Sequence, residues 1–267
     1  MMYNVFRKHR FFTSGNISMK ITILCENQAG LNGSKNLLAE WGLSFFIEIP
    51  TAKILFDAGH TGVYWHNAEQ LKINLNRTDF VVLSHHHWDH TGGLQHHKFR
   101  IKKQLIFHPD VAAKLSPKER RKIKTDFDII ASDKALELSP DVFFLGQISR
   151  KNSFEKEHYK GQTMLDDSAL ALKTPKGTVV ITGCSHSGIC NICQQAKTVT
   201  KQKLHAVIGG FHLSAKDKNV LRKTIDFFKK EQPKYIYPLH CVDHMAQVNF
   251  HNELGTVKLS AGDQIVI

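Results

Sequence analysis

The 267-residue sequence holds no apolar run approaching the ~18–20 residues that a bilayer-crossing helix needs, so it reads as a soluble chain. No Pro/Gly/Ser-rich linker interrupts it and no internal repeat recurs along it, which argues against a string of modules or a repeat array. Cysteine is scarce and odd in number: Cys25, Cys184, Cys190, Cys193 and Cys241. Residues 1–18 carry positive charge without the apolar stretch of a secretory leader. Together these features predict reduced thiols and a cytoplasmic location. Acidic residues are also few, 24 against 36 Lys plus Arg, for a formal charge of +12. That balance favours an anionic partner. The basic run from Lys118 to Lys124 has no interleaved aromatics, so a nucleic-acid or membrane partner is not indicated and a small anionic substrate is expected.

What is present falls into short apolar runs punctuated by Gly, Pro and polar residues. Lys20 to Cys25, Leu43 to Ile49 and Lys53 to Phe56 have β-rich composition, with Pro50-Thr51-Ala52 as a hairpin bend. A helix is predicted from Val63 to Leu71 and a strand from Phe80 to Leu83. Further on come a strand at Gln104 to Phe107, a basic helical stretch, and strands near Val142 to Leu145 and Leu170 to Leu172. The second half alternates strand and helix: Thr178 to Ile181, Ile189 to Val199, Ala206 to Ile208, a helix facing inward through Val220, Leu221, Ile225 and Phe228, then Tyr235 to Tyr237. That helix is entered through a capping-box-like Ser214-Ala215-Lys216-Asp217. The pattern predicts one α/β layered sandwich over residues 19–267, preceded by a loose extension at 1–18.

Chemistry-bearing residues gather at the predicted strand ends. The segment Ser84-His85-His86-His87-Trp88-Asp89-His90 follows Phe80 to Leu83, and His186, His212 and His240 follow later strands. Parallel strands of one sheet present such ends along one rim, where α/β proteins bind ligands. His85 and His87, two apart in extended chain, leave on the same side and can pinch one ion. Asp89 and His90 follow as the chain turns, and can face a second. Two ions roughly 3.5–4 Å apart can together grip a substrate oxygen. The plain alternative is a polar loop in a chain with 17 histidines, but its place after a strand argues otherwise. His86 should point away, His96 and His97 should lie on the surface, and His108 has a weaker claim on the rim. His212, after Gly209-Gly210, is a candidate for substrate binding and proton transfer. Cys190-Asn191-Ile192-Cys193 reads as core thiols within a helix, while the turn before that helix offers backbone N–H groups to a phosphate.

The pattern His-x-His-x-Asp-His, filled by His85, His87, Asp89 and His90, resembles the signature of the metallo-β-lactamase superfamily. The resemblance covers residues 19–267 and implies an αββα sandwich with metals at its rim. It makes His85, His87 and His186 ligands of one metal, and Asp89, His90 and His240 ligands of the other. Asp57, in Phe56-Asp57-Ala58-Gly59, matches an acidic motif that braces the metal loop. One departure stands out: where many members carry a bridging Asp after Gly, this chain has Gly183-Cys184, so Cys184 is either a bridging thiolate or the bridge is missing. The phrases GCSHSGICNI, GGFHL, PLHC and AGDQIVI resemble a narrower branch, the dihydropterin-methyl aminobenzene ribofuranosyl phosphate synthase-like proteins.

These readings lead to a dinuclear hydrolase acting on an anionic ester or phosphoester, with zinc as the first choice of metal and manganese or iron as alternatives. Asp89 would orient the attacking water as well as ligate. A transferase acting on a pterin diphosphate is the alternative within the narrower branch, and a non-catalytic metal-binding or sensor protein is the alternative outside enzymes.

Overall fold

A computed structural model of the chain describes residues 19–30, 36–155 and 163–267. The extension expected at residues 1–18 lies outside them. Strands β1 (Lys20–Cys25), β2 (Ser44–Ile49) and β3 (Ala52–Phe56) form an antiparallel meander. The bend at Pro50-Thr51 is tighter than expected, since Ala52 already pairs with Ile49. Helix α1 (Val63–Gln70) leads to β4 (Phe80–Val82), short helix α2 (Trp88–Thr91) to β5 (Lys103–Phe107), and α3 (Pro109–Lys114) and α4 (Pro117–Asp126) to β6 (Phe127–Ala131). From β3 to β6 every pairing is parallel. Strands β7 (Leu136–Ser139), β8 (Val142–Phe144), β9 (Ala169–Thr174) and β10 (Gly177–Thr182) open a second sheet with antiparallel pairs. Then α5 (Ile189–Thr200), β11 (Leu204–Gly210), α6 (Lys218–Glu231) and β12 (Tyr235–Leu239) extend it with parallel pairs, and α7 (His244–Leu254) returns to β13 (Gln264–Val266) at the edge of the first sheet. The orders are β13-β1-β2-β3-β4-β5-β6 and β12-β11-β10-β9-β8-β7.

Alternation along the strands explains the layering. Ile54 and Phe56 face the inter-sheet core with Val179, Ile181 and Ile208, while Leu55 and Val81 face outward onto Tyr64, Trp65 and Ala68 of α1. The outer face of the second sheet, through Val180 and Val207, is covered by α5, α6 and α7. Each fully buried side chain of this size contributes about 1.5–3 kcal/mol relative to exposure. Helix, sheet, sheet and helix therefore stack in the αββα order. No helix among the described residues is long and apolar enough to cross a membrane.

Two local expectations are corrected. Helix α6 starts later than the Ser214 box: Asp217 is its N-cap, accepting from the Val220 N–H, while Ser214 Oγ instead donates to Asp243 at 2.6 Å. Asp243 caps α7, so Ser214 fastens one helix entry to the other. The N–H groups opening α5 do not await a phosphate. Glu155 accepts from Cys190 N at 2.8 Å and Asn191 N at 2.9 Å, so the chain's own carboxylate closes that helix end. Patterning does not single out β6, β7, α7 or β13, which are short or amphipathic only in part.

Candidate metal centre

Every parallel strand ends on the same rim, and the rim carries the histidines. His85 and His87 follow β4, Cys184 and His186 follow β10, His212 follows β11, and His240 and Cys241 follow β12. Among the described residues, four groupings have potential ligand atoms within 4.8 Å of one another: His85 with His87 and His186; Asp89 with His90 and His240; His85 with His90 and Cys184; and Cys184 with His212 and Cys241. The structure thus gathers all six residues expected to bind metal, and sets Cys184 between the two sets. His85 and His90 stand ring to ring at 4.2 Å between centroids, and His90 and His240 at 5.0 Å.

Hydrogen bonds behind the rings fix which nitrogen faces inward. Ser84 Oγ gives its one proton to Asp57 Oδ2 at 2.7 Å, so at 2.8 Å it accepts the Nδ1–H of His85. The lone pair is then left on His85 Nε2, which is buried with no hydrogen-bond partner. His90 Nδ1 donates to the same Asp57 oxygen at 2.7 Å, leaving Nε2 toward Cys184 Sγ at 3.2 Å. His240 Nδ1 donates to Asn27 Oδ1 at 2.9 Å, and Asn27 returns a bond to the His240 carbonyl at 2.8 Å. Its Nε2 then faces Asp89 Oδ2 at 3.1 Å, a pair that needs a shared proton or a metal ion between the two atoms. A buried imidazole nitrogen left unmet, as His85 Nε2 is, costs about 1–3 kcal/mol. A divalent metal fits this donor set, and Nδ1–H bonds to carboxylate or amide oxygens are the usual support for such ligands.

Protonation agrees. Burial, then the neighbouring imidazoles, hold His85 well below its ordinary pKa; the same causes, burial first, push His87 down to about 4 and His186 to about 2. These rings are neutral near pH 7, the form that ligates. Burial would raise Asp89, but the His240 hydrogen bond and the His90 charge overcome it and hold the carboxylate ionised. His90 is raised, because Asp57 overrides the opposing effect of burial. Burial pushes the Cys184 thiol up.

The backbone is bent to serve this geometry. Asp57, Ser185, His212 and His240 all take left-handed φ values, of 54°, 57°, 48° and 52°, a strained choice for residues with a Cβ. Gly183 is required for close approach: a Cβ there would stand 2.0 Å from Ser84 Oγ.

Other expected residues fall as follows. Asp57 is fully buried and joins the metal loop to its neighbours. His86 turns away, bonded to Asp166 at 2.8 Å. His96 is exposed; His97, expected on the surface, is instead largely covered, packed against Phe99 and Phe127 and bonded to Asp126; and His108 caps α3 through Nδ1, outside all the groupings described. His212 is exposed at the mouth of a cleft of about 690 Å³, which Asn27, Trp41, Lys216 and His240 also line. Cys190 and Cys193 are buried in α5, as expected.

Sequence reasoning missed the acidic braces. Asp166 accepts from the His86 N–H, the His86 ring and Lys114 Nζ, at 2.9, 2.8 and 2.8 Å, tying the metal loop to α3. Asp167 Oδ2 accepts from Ser187 N at 2.7 Å beside His186, and burial raises its pKa to about 6. Glu26 anchors the His240 N–H at 3.0 Å. An Asp-Asp pair immediately before a strand was the one available signal.

Comparison with known proteins agrees with this geometry. A family model described as the metallo-beta-lactamase superfamily matches residues 42–240. A curated protein of Methanocaldococcus jannaschii, 7,8-dihydropterin-6-methyl-4-(beta-D-ribofuranosyl)-aminobenzene-5'-phosphate synthase, is 33% identical across 88% of this chain and 92% of its own. An uncharacterized protein of the same archaeon is 31% identical across 85% of this chain and 91% of its own. Among solved structures, a metal-dependent hydrolase of the beta-lactamase superfamily superposes with a TM-score of 0.77 at 25% identity, covering 93% of this chain and 99% of that one.

Proposed function

Because the chain belongs to the metallo-β-lactamase superfamily, we propose that it is a metal-dependent enzyme acting on an anionic, phosphate-bearing small molecule by group transfer. The supporting observation is the gathering of inward-facing imidazole nitrogens, Asp89 and Cys184 beside an open cleft. His85, His87 and His186 would hold one divalent ion; Asp89, His90 and His240 would hold the other; Cys184 would be shared. Two such ions, zinc first with manganese or iron as alternatives, supply Lewis-acid neutralisation of charge on phosphate oxygens.

The chain's own residues do the rest. Asp57 holds His90 in one tautomer and Ser84 in one orientation, so the donors are set before substrate arrives. His212, which lines the cleft, would contact substrate or exchange a proton with it. Lys216, with an overall charge of +12, favours an anionic ligand. The sequence places hydrolysis first, but the synthase relative, similar over nearly its whole length, favours transfer. In that reaction the carbon–oxygen bond of a pterin methylene diphosphate breaks and diphosphate leaves with the electron pair. The arylamine of an aminobenzene ribofuranosyl phosphate forms the new bond and loses a proton. Hydrolysis of a phosphoester is the second reading, favoured by the similarity to the hydrolase structure.

The test incubates the zinc-loaded chain with the pterin diphosphate, with and without the arylamine. Diphosphate release that requires the arylamine and yields a coupled product supports transfer. Release at equal rate without it supports hydrolysis, and no release with either substrate set, or with bis-p-nitrophenyl phosphate, contradicts both.

A further inference from the structure

Beside the imidazole and carboxylate groupings lies a second set of metal-competent atoms. Cys184 Sγ, Cys241 Sγ and a ring nitrogen of His212 fall within 4.8 Å of one another, delivered by the ends of β10, β12 and β11. The place for the sulfur is built. At Gly210 a Cβ would stand 2.4 Å from the Gly183 carbonyl oxygen, 2.6 Å from Cys241 Sγ and 3.3 Å from the Cys184 Cα, so glycine is what lets the backbone and the thiol approach one another there. His212, in its left-handed conformation, aims its own N–H at Cys241 Sγ at 3.2 Å. Cys241 is half-buried and lines the 690 Å³ cleft, which gives an ion a route in.

We propose that Cys184, Cys241 and His212 form a thiophilic metal position, distinct from the imidazole–carboxylate pair, which takes a soft or borderline divalent ion such as zinc, cobalt(II) or iron(II). Two sulfurs and one imidazole are the donors such ions select, whereas magnesium, calcium and manganese(II) favour oxygen. On binding, two sulfur–metal bonds form and the two thiol protons pass to solvent, with no change of oxidation state. Cys184 faces both ways, with His90 Nε2 at 3.2 Å on one side and Cys241 on the other. A thiolate can bridge ions, so Cys184 links this position to the rest of the centre. The inference rests on the metal-binding half of the proposed function and not on the reaction.

The test uses the full chain, stripped by chelator and reloaded with cobalt(II). Thiolate ligation gives a charge-transfer absorption in the near ultraviolet. In Cys241→Ser that absorption should fall by roughly half or more and bound cobalt by about one equivalent. His85→Ala should keep the thiolate absorption while losing cobalt elsewhere. Unchanged absorption and stoichiometry in Cys241→Ser would overturn the proposal. Should the serine variant fail to fold, iodoacetamide labelling of the wild-type chain decides instead. Zinc should slow Cys241 alkylation about tenfold and magnesium should not; equal labelling with and without zinc overturns the proposal. Loss of turnover with the thiolate absorption intact counts against the proposed reaction alone, so the two failures read apart.

Discussion

Asp57 and His90, 33 residues apart in the chain, meet in a 2.7 Å hydrogen bond with both side chains fully buried. One carboxylate oxygen serves His90 and Ser84 together, and through Ser84 it sets the tautomer of His85. A residue at the end of β3 therefore governs donors at the end of β4.

Asp57→Ala should weaken zinc binding by about 10–100-fold, the usual cost of removing the support behind a ligating imidazole. It leaves a buried partner unmet, so the metal-free chain should also lose about 3–5 kcal/mol of stability. Calorimetric zinc titration and urea unfolding measure the two effects. Unchanged affinity would show that Asp57 is only a packing residue.

Gly183→Ala forces a methyl group against Ser84 Oγ, with Asp57 Oδ2 also within 3.1 Å. Overpacking of this kind costs about 1–3 kcal/mol, and here it also spreads the loops that carry His85 and His186. Gly255→Ala is the control, because nothing lies within 4 Å of its Cβ and only its φ of 66° opposes the change. Thermal melts with and without zinc should show a zinc-dependent deficit for the first variant only.

Acid should destabilise the metal-free chain. His87, at about 4, and His186, at about 2, have folded pKa values below the ordinary 6.5, and His85 is lowered too, with burial the largest cause in each. The unfolded chain then binds more protons, so stability is present above about pH 6.5 and is lost as pH falls through about 4. His90, raised by Asp57 against burial, acts in the opposite sense: its contribution is present at low pH and lost as pH rises through its folded value. Three rings outweigh one. The urea midpoint should fall between pH 7 and pH 4, and zinc affinity should fall with it; a flat profile contradicts the assignment.

Glu155→Ala should destabilise by about 1–3 kcal/mol, since it strips the carboxylate from two buried N–H groups at the start of α5. Glu155→Gln, which keeps an acceptor oxygen, should recover part of the loss in a thermal melt. Equal stability of all three chains would mean that water satisfies the helix end.

The strand-end positions of the site's residues were legible from periodicity, and their grouping from the resemblance of the His-x-His-x-Asp-His segment to a family signature. Strand-end histidines stand out because apolar runs such as Phe80 to Leu83 mark where each strand stops, and glycines mark where the chain turns. The pairing of His85 with His186 across some hundred residues comes from the family resemblance, and no spacing in the sequence implies it; the fold brings the two together at the ends of β4 and β10. Asp167 and Glu155 were not legible because they accept from backbone N–H groups, which leave no mark in the sequence, and Asp166 was not because its side-chain partners His86 and Lys114 lie 80 and 52 residues away. The Ser214 box misled for a related reason. Ser214 has the spacing of a cap, but Asp243, on another element, claims its hydroxyl.

The central claim is that residues distant in sequence hold one metal centre, and metal content tests it most directly. Purified wild-type chain, His186→Ala and His240→Ala should be compared by elemental analysis after identical zinc loading. Each replacement is predicted to lower bound zinc by about one equivalent relative to wild type. Full zinc content in both variants would contradict the account.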